Sequence, residues 1–327
     1  MKVKAIIIAM GLAALASTSA YADGSNGEKA FVNQFGVSNT ANVDQQASTN
    51  DLVTINQGAN KANADVESKN GGYNTTTISQ HSNAADSKET ATVLQDSTWA
   101  NTTSITQTGV DKAKVETTGG SWNNTSITQN GTGSGTDAHV VQNNESHDNV
   151  TIKQSGSAIA NTDSSNGGYN TTTITQTASP SVNLAQVLQI GAQGETTFIS
   201  QSGDGYGHAY VNQHYSSNDK AAIVQSGYDQ IASIDQNFGS GNKAGVLQLG
   251  KTNEAHLTQD TSFEGTLLAA QIGDGNTINA SQKGYDNFGL IGQGGIANSA
   301  TLTQVGTGNV AVVTQVGAGN KTTIAQH

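Results

Sequence analysis

The chain has 327 residues and a net charge of −11, with no cysteine, and all 14 of its basic residues are lysine. The missing cysteines exclude a disulfide framework and a thiolate metal site, and an acidic chain without arginine is a poor binder of nucleic acid. Leu, Ile, Val and Phe are sparse, and with this net charge such a composition leans towards disorder unless some other pattern builds a core.

The first element in chain order is a leader. "MKVKAIIIAMGLAALASTSAYADG" places two lysines before an apolar run, Ala5 to Ala16, followed by small residues. Ala20-Tyr21-Ala22 satisfies the A-x-A rule, so residues 1–22 are expected to be a signal peptide, with the exported chain starting at Asp23. The apolar run is too short to span a membrane permanently, and no later segment is apolar enough to do so. A short N-terminal segment, 23–29, precedes the region that dominates the chain, residues 30–327.

That region repeats. Glutamine ends one apolar-containing segment after another at spacings of mostly 11 to 13 residues, giving 23 anchors from Gln34 to Gln326. The residue two before the anchor is Val, Ile or Leu in 21 of the 23. In the exceptions, at Ala269 and Ala280, the large side chain stands two places earlier, as Leu267 and Ile278, which keeps it on one face of a strand. Intervening positions are polar, as in "NTTSITQ" from Asn101 to Gln107. This alternation has period two, so each segment is predicted to be a β-strand with one buried face. Glycine lies two residues past the anchor in 13 of 22 segments, where a tight turn with positive φ would need it.

Three double gaps hide weaker copies, "ADVES" to Ser68, "AKVET" to Thr117 and "ANTDS" to Ser164, making 26 segments in all. A coil in which each strand stacks on the second one along would superpose like residues at ~4.8 Å. Stacked amides could then bond to copies above and below, which explains the regular glutamine, since an unpartnered buried amide costs free energy. Alternate (odd) strands end in Gln34, Gln57, Gln80, Gln107, Gln129, Gln154, Gln176, Gln201, Gln225, Gln248, Gln271, Gln293 and Gln315 without a gap, and all three losses fall on the even strands. The predicted fold is all-β, a two-sheet β-solenoid of about 13 strand-turn-strand coils. Even-strand anchors expected to stack include Gln45, Gln259, Gln282, Gln304 and Gln326. Asparagine six before the anchor adds Asn39, Asn253, Asn276, Asn298, Asn309 and Asn320.

The unit Q-x-G-x2-N-x-A-x3-Q is complete from Gln34 to Gln45, Gln248 to Gln259, Gln293 to Gln304 and Gln304 to Gln315. It resembles the curlin repeat of curli fibre subunits, and the resemblance covers nearly all of the exported chain. It implies a β-solenoid that polymerises into extracellular amyloid in bacterial biofilms. Its stacking positions map onto the glutamine anchors and the asparagines six before them. It further implies self-association, a nucleator subunit and an outer-membrane secretion pore as partners. Only "DGSNGEK", Asp23 to Lys29, stands where the major subunit has a Gly-rich segment, but the acidic balance is more like the major subunit than the basic nucleator.

Little points to catalysis or to a cofactor, and none is expected. Asp51, Asp148, Asp219 and Glu195 stand six before an anchor and read as substitutes for the usual asparagine. His208 and His214 lie in a tyrosine-rich patch without metal spacing. Thr75/Thr77, Thr102/Ser104 and Thr171/Thr173 form an outward threonine array that would suit ice binding, but Gly245/Leu247 and Val310/Val312 break it. Tyr73, Trp99, Trp122, Tyr169 and Tyr206 fall at corners and read as packing along the stack. From Asn287 to Asn320 there is no Asp, Glu or Lys. The competing class is a monomeric binding module such as an adhesin, which should carry capping elements over its end strands. None is read in the sequence.

Overall fold

The computed structural model of the chain describes residues 17–23, 26–81 and 88–327. The apolar run of the expected signal peptide lies outside them. Every regular element among the described residues is a β-strand, and the chain divides into two compact units, Met1–Ser165 and Asn166–His327.

The first unit contains β1 (Ser17–Asp23), β2 (Lys29–Gln34), β3 (Thr40–Gln46), β4 (Leu52–Gln57), β5 (Asn63–Lys69), β6 (Thr75–Gln80), β7 (Thr90–Asp96), β8 (Thr102–Thr118), β9 (Asn124–Asn143) and β10 (Asn149–Ser165). From β1 to β6 each strand pairs in parallel with the second strand along, β2 with β4, β3 with β5 and β4 with β6, so the chain coils and like residues superpose. Val32 lies on Ile55 and Ile55 on Ile78, and these side chains are buried from water. Ser17–Asp23, which includes the expected cleavage site, pairs in parallel with Thr40–Gln46.

The second unit repeats the arrangement with β11 (Thr171–Ile190), β12 (Thr196–Gly203), β13 (His208–His214), β14 (Lys220–Tyr228), β15 (Ile231–Asn237), β16 (Lys243–Lys251), β17 (Glu254–Phe263), β18 (Thr266–Asp274), β19 (Thr277–Tyr285), β20 (Phe288–Ile296), β21 (Ser299–Thr307), β22 (Val310–Ala318) and β23 (Lys321–Gln326). Leu267 and Ile278, the displaced large residues, are fully buried, as a two-place shift on one strand face requires. Each unit is a β-solenoid. The chain makes about 12 turns, close to the 13 counted from the anchors.

Two details differ from simple strand-turn-strand units. In β8, β9, β10 and β11 the pairing continues around a corner, so two segments join as one bent strand, with register shifts at Gly109/Asp111 and Gly156/Ala158. The two corners of a coil are also built differently. Past the even anchors, as far as Thr261, the residue two beyond has φ of 49° to 64°, the left-handed helical region that Asn, Ser and even Tyr215 and Phe238 adopt here. From Gly227 to Gly317 the glycines two beyond an anchor have φ of 109° to 135°, outside that region. A β-carbon on Gly250 would also lie 2.2 Å from the carbonyl oxygen of Gly273. From Gly227 onward glycine is thus demanded at one corner of the coil, whereas Ala59 and Ala178 hold that place earlier without positive φ, and the other corner takes varied residues until Gly284, where both become glycine corners.

Candidate functional site: the amide ladders

The odd strands carry the amide ladder. In the first unit the Nε2 of Gln34, Gln57, Gln80, Gln107 and Gln129 each donates to the Oε1 of the next anchor, ending at Gln154, over 2.7 to 3.0 Å. In the second unit Gln176, Gln201, Gln225, Gln248, Gln271 and Gln293 do the same, ending at Gln315, over 2.7 to 3.0 Å. The even strands of this unit carry a second ladder through Gln189, Gln213, Gln236, Gln259, Gln282, Gln304 and Gln326.

Each amide has a second N–H, and most send it across the coil. Gln248 donates to the Ile231 carbonyl at 2.9 Å, Gln271 to Glu254 at 2.9 Å and Gln282 to Thr266 at 2.9 Å. An anchor therefore ties together the level above, the level below and the facing sheet. Sequence reasoning missed this third direction, because the partner lies 16 or 17 residues back at a position with no characteristic residue type.

The even strands of the first unit lack such a ladder. Ser68, Thr117 and Ser164 occupy anchor positions, in register with Gln45, Gln95 and Gln142. Gln95 and Gln142 are buried, yet among the described residues their Nε2 atoms have no hydrogen-bond partner, and their Oε1 atoms are met by Thr76 and Thr125 from the facing sheet. The serines are partly compensated. The Ser68 hydroxyl donates to Asp51, and that of Ser164 to Asp148 at 3.0 Å. These are two of the carboxylates read as asparagine substitutes.

Asparagine forms a further ladder at the corners. The Oδ1 of Asn253 accepts from the backbone N–H of Asn276, that of Asn276 from Asn298 and that of Asn298 from Asn320, each at 3.1 Å. Their Nδ2 atoms close the turn, as when Asn298 donates to the carbonyls of Gly294 and Gly317 at 3.2 and 3.1 Å. Asn39 Oδ1 likewise accepts from Ala62 N–H at 3.0 Å, and Asn309 N–H donates to Asn287 Oδ1 at 3.0 Å. Carboxylates replace the amide without altering the geometry: Asp51 accepts from Asn74 N–H at 2.8 Å, Glu195 from Asp219 N–H at 2.8 Å and Asp219 from Asn242 N–H at 2.8 Å.

Burial of these carboxylates favours their neutral forms. Burial, with Asp51 beside it, pushes Glu28 up to about 7. Burial pushes Glu89 up to about 7. Burial together with the Asp219 charge pushes Glu195 up to about 8, and burial pushes Asp219 up to about 6. Asp51 and Asp111 are raised by burial as well.

The remaining features are dispersed. Tyr73 and Trp99 lie 6.1 Å apart at one corner, Trp122 stacks on His147 at 5.3 Å, and Tyr215 stacks on Phe238 at 5.7 Å. His208 meets Tyr210 edge-on, and among the described residues no three metal-ligating side chains cluster.

A solenoid whose successive levels are joined by buried amide ladders is the class that this geometry defines. The family model described as the curlin associated repeat matches residues 273–305 and 295–327, the stretch with the most regular ladder. The chain thus carries curlin associated repeats, which supports its assignment to the curlin family. A search of curated proteins found no match.

Proposed function

We propose that this chain is a secreted structural subunit that self-assembles into extracellular curli-type functional amyloid fibres, serving biofilm matrix and surface adhesion rather than catalysis. The observation that carries the reading is the in-register repetition of Gln at every level of the second unit, joined by corner Asn at most levels from Asn242 onward. A strand of another copy docking on such a level meets the amides and backbone groups that the chain's own next level would meet. The leader supports export after cleavage at Ala22, and the curlin repeats support a nucleator subunit and an outer-membrane secretion pore as partners. The glutamine anchors and the corner asparagines are the proposed polymerisation contacts. Incubating the purified chain from Asp23 onward should give thioflavin-positive fibres with parallel in-register β-structure. A chain that stays monomeric and thioflavin-negative would favour a monomeric binding module instead.

A further inference from the structure

The outward faces of the second unit differ in kind. On the even strands the outward residues are mostly polar, for example Asn279 and Ser281 on β19, and Thr301 and Thr303 on β21, with Leu188, Ile231 and Val305 as scattered exceptions. On the odd strands they are apolar and uncharged across the middle of the face. β16 presents Gly245 and Leu247, β18 Leu268 and Ala270, and β20 Leu290 and Gly292. The leucines are 36% to 38% exposed, and the face continues at the edges with Ile272 at 56% and Val316 at 80%. The corresponding face of the first unit is hydroxylic, with Thr77 and Ser79 on β6 and Ser104 and Thr106 on β8.

The order of large and small residues on this face follows a rule. From β12 to β20 each odd strand pairs one large with one small outward side chain, and the order inverts between β12 and β14 and again between β16 and β18, while β22 carries Val312 and Thr314, equal in size. Ala222 precedes Val224 on β14 in the first order, and Phe198 precedes Ser200 on β12 in the second. A two-fold axis parallel to the stacking direction reverses the strand direction of a facing copy. It sets the third residue before each anchor against the first residue before the same anchor of the other copy. At each level from β12 to β20 a large side chain then meets a small one: Leu247 meets Gly245, Leu268 meets Ala270 and Leu290 meets Gly292. A β-carbon on Gly292 would have its nearest neighbour at 3.9 Å, so that hollow is open, whereas Leu268 leans to 3.0 Å of the equivalent point on Gly245.

We infer that the odd-strand face of β12 to β22 packs against the same face of a second copy of this chain, related by a two-fold axis along the stack. Seven outward and alternating positions of ~3.3 Å and six levels of ~4.8 Å give a patch of roughly 650 Å2 per copy. The pair would bury about 1,300 Å2, within the range of specific interfaces. The absence of charge between Asn287 and Asn320 leaves β20 and β22 free of repulsion across this face, and the lysines of β14 and β16, Lys220 and Lys243, stand at its edge. Isologous pairing needs this self-complementarity of one patch.

This lateral contact rests on the fibre reading for its setting, but it is separate from growth along the stack. The test is mass per unit length of fibres grown from the exported chain, beside the variant Leu268→Lys with Leu290→Lys. The control places the same charges on the other face, Asn279→Lys with Thr301→Lys. Wild type and control should give two chains per axial repeat, and the face variant one, a twofold drop, with thioflavin growth rates within about twofold. Single-width wild-type fibres, or a face variant that stays paired, would overturn the inference. So would single-width wild-type fibres that bind phosphatidylcholine vesicles through Leu268 and Leu290, an outcome that assigns the face to lipid. If no fibre forms, the fibre reading fails and sedimentation of the soluble chain decides: a dimer split by the face variant supports the pairing, and a monomer overturns it.

Discussion

Gln248 accepts one amide bond, from Gln225, and donates two, to Gln271 and the Ile231 carbonyl. Gln248→Leu keeps the volume but orphans buried groups on both neighbours, at about 1–3 kcal/mol each. Gln95→Leu loses only the bond from Thr76, since its own Nε2 has no partner. Urea unfolding of the soluble chain should therefore show a clearly larger loss for Gln248→Leu, and equal losses would refute the ladder's energetic role. Glu195 gives the residue-scale pH dependence. Folded, it holds its proton up to about 8, whereas its ordinary value is 4.5. Between those values the native state binds a proton that the unfolded state has released, so stability is full below about 4.5 and falls as pH rises through 8. Glu195→Gln can keep the bonds from Asp219 N–H and Gln213 through its carbonyl oxygen and donate to Ser216 from its nitrogen. It should stabilise the chain at pH 9 and not at pH 4. A variant whose unfolding midpoint follows the wild-type pH curve throughout would show that this carboxylate stays ionised when folded.

At the scale of elements, the two sheets of the first unit differ. The odd strands β4, β6 and β8 share continuous amide bonds, while the even strands β5 and β7 meet at Ser68 and Gln95 with an unmet N–H. Amide hydrogen exchange in this unit should be faster around Ser68, Thr117 and Ser164 than around Gln80, Gln107 and Gln154, and equal protection would contradict the assignment. Much of this was legible in the sequence, because a ladder demands one residue type at one height and the anchors display that demand directly. The two corner geometries were not legible. An alternation such as Ser97, Asn144 and Tyr215 at one corner against Gly227 and Gly250 at the other looks like noise until φ distinguishes them. The bonds from Thr76 to Gln95 and from Ser68 to Asp51 were hidden for another reason. They cross the coil between positions on facing strands that the repeat does not link at a fixed spacing, and only the width of the core sets which of them meet.

For the molecule as a whole, charge and regularity are unevenly distributed. β20, β21 and β22 lie in a stretch with strict eleven-residue anchor spacing and no Asp, Glu or Lys, whereas Gln80 and Gln95 are 15 residues apart in a charged region. Among the described residues β22 and β23 each pair on one side only, with β20 and β21. Low charge and high β-propensity make such a segment prone to dock further strands. A peptide of residues 287–327 should fibrillise faster, and seed the full chain better, than one of residues 80–129. Comparable lag times would show that the charge-free stretch is not the more competent surface.

The ladder bonds of each unit, backbone and amide alike, run from level to level, and this sets how the chain would bear tension. A pull directed from one level to the next loads these bonds one coil after another rather than all at once, so the chain should unravel like a spring giving way ring by ring. Each ring that lets go frees about 23 residues, the spacing of stacked glutamines, or roughly 75–80 Å of slack. In single-molecule stretching the first unit should yield at lower force, because its rings at Ser68, Thr117 and Ser164 are fastened by one amide row instead of two. A chain built this way has soft links that give first and stiff ones that hold, a mechanical fuse written into the positions where glutamine is missing.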